Sequence, residues 1–179
     1  MGHRHSKEEI LEGALASAFE DGLSQLSFGR VGKRLGTSDR VVVYYFPSKE
    51  DLVGEVLFVL GARLQTTLAP MFRSKVPDAR ALLRAAWPVL ARRDADPVFA
   101  LFFEAAGLAT AGREPYRSLV PQLMEGWVVW ASEFIEGTAA RRRSEAEAAI
   151  AMIDGLLIMR QLAGSTMADR AARRLMRTD

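Results

Sequence analysis

The chain has no cysteine among its 179 residues, which excludes a disulfide framework, a thiolate zinc site and a cysteine nucleophile together and fits a reducing compartment. Histidine is nearly missing as well, with only His3 and His5, both in the first five positions. No imidazole base is therefore available to the body of the fold, and a serine–histidine triad is excluded. Two such side chains near the chain start do not make a metal site, so no metal is expected. There is no glycine-rich phosphate loop and no paired-carboxylate motif, so neither a cofactor nor catalysis is expected; a helical enzyme would have to rely on carboxylates such as Glu104 and Asp154. The longest uncharged apolar runs fall well short of the roughly 18 residues that span a bilayer. The start, Met1-Gly2-His3-Arg4-His5-Ser6-Lys7-Glu8-Glu9, has no apolar signal segment, and a cytoplasmic location with no membrane partner is expected.

What is present is an ordinary globular mixture, 49% hydrophobic and 26% charged, which excludes a disordered tail or a fibre. The formal charge is only +2, but it is unevenly spread. From Gly22 to Lys49 the basic residues Arg30, Lys33, Arg34, Arg40 and Lys49 face the single acid Asp39, a local +4 that leaves −2 on the remainder. A basic segment on a near-neutral chain points to a polyanionic partner for that segment alone.

Helical periodicity dominates, and the expected class is all-α. Ile10, Leu11, Ala14, Leu15, Ala18 and Phe19 share one face of a first helix behind the capping box Ser6-Lys7-Glu8-Glu9, and Gly22 ends it. A second helix runs from a Ser27 cap through Phe28, Val31 and Leu35 to Gly36. Ser38 caps a third over Asp39 to Phe46. Its run Val41-Val42-Val43-Tyr44-Tyr45-Phe46 has strand propensity, but the cap before it and Pro47-Ser48 after it favour a helix. Ser48-Lys49-Glu50-Asp51 opens a long fourth helix with Leu52, Val53, Val56, Leu57, Leu60 and Leu64 on its apolar stripe, ending before Pro70. Further helices are expected near 77–93, with a kink at Pro88, and near 97–109, 116–137, 144–163 and 166–177. Ser144-Glu145-Ala146-Glu147 serves as the cap of the fourth of these five, and Arg141-Arg142-Arg143 as a solvated loop before it.

Helices two and three, separated only by Gly36-Thr37, form a helix-turn-helix, whose second helix projects into the major groove of DNA. With Val42, Tyr45 and Phe46 turned inward, the opposite face presents Asp39, Arg40, Val43 and Tyr44, and the helix start aims its amides at Thr37 and Ser38. Arg40 can fork onto guanine O6 and N7, while tyrosine and serine hydroxyls can meet phosphate oxygens. Lys49, at the start of the next helix, is a candidate phosphate clamp.

The stretch from Ile10 to Leu52 resembles the DNA-binding domain of the tetracycline-repressor (TetR) family of bacterial regulators. The residues that carry the likeness are Ala14, Phe19, Gly22, Val31, Gly32, Leu35-Gly36-Thr37-Ser38 and Tyr44-Tyr45-Phe46-Pro47-Ser48-Lys49-Glu50-Asp51-Leu52. The resemblance implies a homodimer, a helix-turn-helix domain over 1–47 and a helical effector-binding and dimerisation domain over 48–179. It also implies a repressor that binds a pseudo-palindromic operator and is released by a small effector. The turn and reading helix fall on Thr37 to Tyr45 and the phosphate-contacting lysine on Lys49; the expected DNA-contacting residues are Arg30, Thr37, Ser38, Asp39, Arg40, Val43, Tyr44, Tyr45 and Lys49. Val43 stands where the family has a phosphate-contacting tyrosine, and Gly32 where it has alanine, at a point of close helix approach.

For the effector, the aromatic residues Trp87, Phe99, Phe102, Phe103, Trp127 and Trp130 either line an apolar cavity or pack the core; Trp127, Trp130 and Phe134 have the spacing of a core helix. Asp154 interrupts the apolar run Ile150 to Ile158 as a ligand anchor, a subunit-interface group or an amide-paired acid. The last two helices, with Ala171-Ala172-Arg173-Arg174-Leu175-Met176, suit pairing with a second subunit as a four-helix bundle. The alternative reading is a helical ligand-binding or adaptor protein of the same fold that no longer reads DNA.

Overall fold

The computed structural model describes residues 5–177, so His3 lies outside the described residues. In chain order the α-helices are α1 (Lys7–Asp21), α2 (Phe28–Leu35), α3 (Asp39–Tyr45), α4 (Lys49–Leu68), α5 (Ala79–Leu90), α6 (Asp96–Thr110), α7 (Tyr116–Ser132), α8 (Ala139–Ala163) and α9 (Ser165–Leu175), with a 3-10 turn at Ala69–Met71 after α4. No strand occurs among the described residues; Val76 and Ile135 make one isolated parallel bridge. The chain divides into two compact units, Met1–Ala62 with Ala100–Val120, and Arg63–Phe99 with Pro121–Asp179.

Local signals set the helices of the first unit. Ser6 and Glu9 cap α1 reciprocally, Ser6 N–H donating to Glu9 Oε2 at 2.8 Å and Glu9 N–H to Ser6 Oγ at 3.2 Å. Ile10, Ala14 and Ala18 are fully buried, but Phe19, counted on the same face in the sequence, is 43% exposed. Ser27 caps α2 through the Arg30 amide. The β-branched run after Ser38 is helical: a lone strand among helices would have no partner for its backbone, whereas Phe46 N–H reaches Val42 O at 2.9 Å. Ser38 occupies the cap position of α3 without a side-chain bond.

Ser48 and Asp51 cap α4, their amides exchanging bonds of 3.0 Å with each other's side chains. Together with the 3-10 turn, α4 is long and apolar enough to cross a membrane by length and composition, which the uncharged-run criterion does not reveal because Glu55 and Arg63 interrupt the stretch. Leu52, Val53 and Val56 are fully buried within the first unit, and Glu55 accepts an ion pair from Lys7 at 2.6 Å. Part of the apolar side is thus taken up by packing.

In the second unit α8 packs against α5 and α9. Ala146, Ala149, Leu156 and Leu157 of α8 and Ala168 and Ala172 of α9 are buried, the alanines allowing close approach. The α8 start differs from the sequence expectation: Thr138 is the cap, accepting from Arg141 N–H, so Ser144 lies inside the helix and the three arginines are helical rather than a loop. Arg143 forks onto Glu125 of α7 with two bonds of 2.7 Å and meets Glu147 at 2.9 Å, which raises its already high pKa and lowers that of Glu125. α7 ends at Ser132, short of 137, because Val76 then binds the backbone on both sides of Ile135, accepting from Glu136 N–H and donating to Phe134 O.

Candidate nucleic-acid interface

The geometry of the site begins at Gly32. A Cβ there would lie 3.0 Å from Thr37 O and 3.1 Å from Asp39 N, so the absent side chain lets the start of α3 approach α2 closely. Thr37 N–H closes the turn onto Gly32 O at 2.9 Å. From that fixed start, α3 turns Val42, with Phe46 just after it, fully inward and leaves Asp39, Arg40, Val43 and Tyr44 exposed, Tyr44 by 78% and Val43 by 39%. Thr37 is half-buried and Ser38 exposed beside them.

The two tyrosines part company. Tyr45 is half-buried and donates its hydroxyl to His5 O at 2.8 Å, tying the chain just ahead of α1 to the reading helix. Tyr44 packs its ring edge-on to Tyr45 at 5.0 Å between centroids and is otherwise largely exposed. The side chains of Lys33, Arg40 and Lys49 have no ion-pair partner among the described residues and are all exposed. Arg30 and Arg34 are held instead by α1 and the turn after it. Arg30 pairs with Asp21 at 3.1 Å and donates to Gln25 Oε1 at 3.2 Å. Arg34 bonds Ser17 Oγ at 3.0 Å and pairs with Glu20. Lys33, counted in the basic segment but not singled out from sequence, thus joins the free cations.

The aromatic residues considered for an effector do not form one cluster. Phe102 and Phe103 neighbour each other on α6 in the first unit, centroids 5.4 Å apart. In the second unit Trp127, Trp130, Phe134 and Phe72 form a ladder of ring contacts with centroid distances of 4.6 to 6.0 Å. Trp87 is buried on α5 and donates its indole N–H to Asp169 of α9 at 3.2 Å, while Phe99 is buried near the start of α6. Asp154 is half-buried on α8, and burial pushes its carboxyl up to about 6.

Glu104 is a residue whose position sequence reasoning missed. It accepts the amides of Leu23 and Ser24 at 2.8 and 2.9 Å, and the buried Tyr116 donates its hydroxyl to Leu23 O at 2.8 Å. These bonds join residues 80 to 93 positions apart, and no local pattern announces them.

Three helices with a tight turn, an exposed helix face backed by buried side chains and, among the described residues, cations without ion-pair partners have the arrangement of the helix-turn-helix class of DNA-binding module. Residues 10–56 match the model described as bacterial regulatory proteins, tetR family. Solved structures match over nearly the whole chain. A transcriptional regulator from Rhodococcus sp. Rha1 is 20% identical, covering 96% of this chain and 94% of its own, with a TM-score of 0.73. A TetR transcriptional regulator from Legionella pneumophila is 20% identical, with coverages of 98% and 97% and a TM-score of 0.70. The multidrug binding protein EbrR complexed with imidazole is 19% identical, with coverages of 100% and 95% and a TM-score of 0.67. At these identities the likeness is one of fold. No curated protein matches the chain in sequence.

Proposed function

We propose that the protein is a cytoplasmic, ligand-responsive transcriptional regulator, a repressor, that binds a pseudo-palindromic operator as a homodimer and is released by a small apolar or aromatic effector. The observation that carries this reading is the exposed strip Asp39, Arg40, Val43 and Tyr44, backed by fully buried Val42 and Phe46 and flanked by Lys33 and Lys49 without ion-pair partners among the described residues. Arginine in a major groove forks onto guanine, an exposed valine suits a thymine methyl, and the hydroxyl of an exposed tyrosine reaches a phosphate. The residues assigned to DNA are Thr37, Ser38, Asp39, Arg40, Val43, Tyr44 and Lys49. Arg30 and Tyr45 act behind them through Asp21, Gln25 and His5.

Functionally the chain divides into a DNA-reading part over 1–47 and an effector and pairing part over 48–179. Leu162 of α8 is 81% exposed, Met167 and Leu175 of α9 are 44% and 37% exposed, and Ala148, Ala151 and Gly155 lie uncovered along α8. This small and apolar surface supports pairing of two copies through α8 and α9. Two reading helices then enter successive major grooves roughly 34–36 Å apart. An effector that prefers a pair with another spacing lowers operator affinity by its differential binding to the two states. The aromatic ladder of Phe72, Trp127, Trp130 and Phe134 is assigned to that ligand, in keeping with a fold neighbour named for multidrug binding, and half-buried Asp154 of α8 is a separate candidate anchor.

Selection of bound duplexes from a random pool tests the reading. The expected result is a two-fold symmetric site whose affinity falls steeply with salt and far exceeds that for arbitrary duplex. Binding with no sequence preference and no salt dependence would instead favour an adaptor of the same fold.

A further inference from the structure

We propose that Glu104 and Tyr116 are positioning residues that set the pose of the reading helix by gripping the turn between α1 and α2; the proposal rests on the regulator reading above. Three observations within the first unit converge on that turn. The Glu104 carboxylate takes the amides of Leu23 and Ser24 at 2.8 and 2.9 Å, leaving neither amide without a partner. Tyr116, 3% exposed, fixes the same peptide from its other side by donating to Leu23 O at 2.8 Å. Gly22 has φ +86° and ψ 161°, and a Cβ on it would stand 3.0 Å from Glu104 Oε2, so the backbone is shaped to admit the carboxylate.

Leu23 and Leu26, the apolar residues of the turn, are buried, so the turn is a fixed part of the unit. Its hold on DNA reading runs through short links. Arg30 of α2 is tied back to the turn by Asp21 and Gln25. Ser27 caps α2 immediately after the turn, and the start of α3 rests on Gly32 of α2 in close contact. A displaced turn therefore moves α2, and α2 carries α3 with it. Carboxylate bonds to two amides are charge-assisted and directional, which suits a group that fixes an angle. Tyr116 is held protonated, since burial and the neighbouring Glu104 charge push its hydroxyl up to about 12, so it remains a donor over the whole working pH range.

The experiment compares the full chain with Glu104→Gln and Tyr116→Phe. A glutamine keeps the size but turns an N–H₂ against one of the two amides; the phenylalanine loses one hydroxyl and guards against a glutamine variant that does not fold. Hydrogen exchange by mass spectrometry is followed on peptides covering 22–26, α2–α3 and α8. The expected result is exchange at least about tenfold faster in the turn and in α2–α3 with α8 unchanged. Affinity for the selected duplex is expected to fall about tenfold, while low-salt binding to arbitrary duplex stays within about twofold. Unchanged exchange in α2–α3, or equal losses on both duplexes, overturns the proposal. If the unaltered protein prefers no duplex, the regulator reading fails on that result, and the exchange arm still decides whether the grip governs α2 and α3.

Discussion

Arg160 of α8 grips Asp96 of α6 through two bonds, Nε to Oδ1 at 2.6 Å and Nη2 to Oδ2 at 3.1 Å, with the arginine 7% exposed. The Asp96 bonds raise the arginine's pKa against the opposing cost of burial, so the guanidinium stays charged. Removing the carboxylate would leave that buried charge with no hydrogen-bonded acid and only the weaker attraction of Asp169. Asp96→Ala is therefore expected to cost about 3 kcal/mol of stability, while Arg160→Met costs clearly less because the apolar stem is kept and no buried charge remains. Urea unfolding of both variants checks the order; an Asp96 variant as stable as the starting protein would refute it.

On DNA, Arg40 and Lys49 are expected to separate. Arg40→Ala should lose about 1–3 kcal/mol on the preferred duplex and relax preference at one base position of each half-site, whereas Lys49→Ala should weaken all duplexes alike and flatten the salt dependence by about one ion for each phosphate no longer neutralised. Fluorescence anisotropy at several salt concentrations reads both. Identical behaviour of the two variants would contradict the assignment.

Asp154 is expected to make stability fall with rising pH. Its carboxyl is raised from an ordinary value of 3.8 to about 6 by burial, so between those values the folded protein holds more protons than the unfolded chain. The advantage of the protonated form is complete below about pH 4 and is lost as pH rises through 6, with a slope of up to about 1.4 kcal/mol per pH unit. Asp154→Asn should remove that slope and melt higher than the starting protein at pH 7. Parallel melting curves for the two from pH 4 to 8 would rule the effect out.

Gly22→Ala is expected to destabilise by about 1–3 kcal/mol, since φ +86° with ψ 161° is a region that residues with a side chain rarely occupy. Thermal unfolding measures it. A neutral effect would mean that the turn relaxes to another conformation.

The parts of the fold that could be read in the sequence are those set by neighbours a few residues apart. Ser6 with Glu9 and Ser48 with Asp51 form their caps whatever the rest of the chain does, and the helical fate of Val41 to Tyr45 follows from its bounding residues. The start of α8 is ambiguous in the sequence because Thr138 and Ser144 both have the chemistry of a cap; the break at Gly137, with φ +109°, comes just before Thr138. Charge counting could not tell Arg40 from Arg30, since only the fold brings Asp21 and Gln25 to Arg30. Nothing beside Glu104 in the sequence sets it apart from other helical carboxylates; the fold brings Leu23 to it across 81 positions. The aromatic residues likewise share a composition but divide between separate ring contacts.

The bond from Tyr45 to His5 bears on how a substitution in α3 is read. Replacing Tyr45 by phenylalanine would release the backbone at His5 as well as alter α3, so any effect of that variant would combine the two.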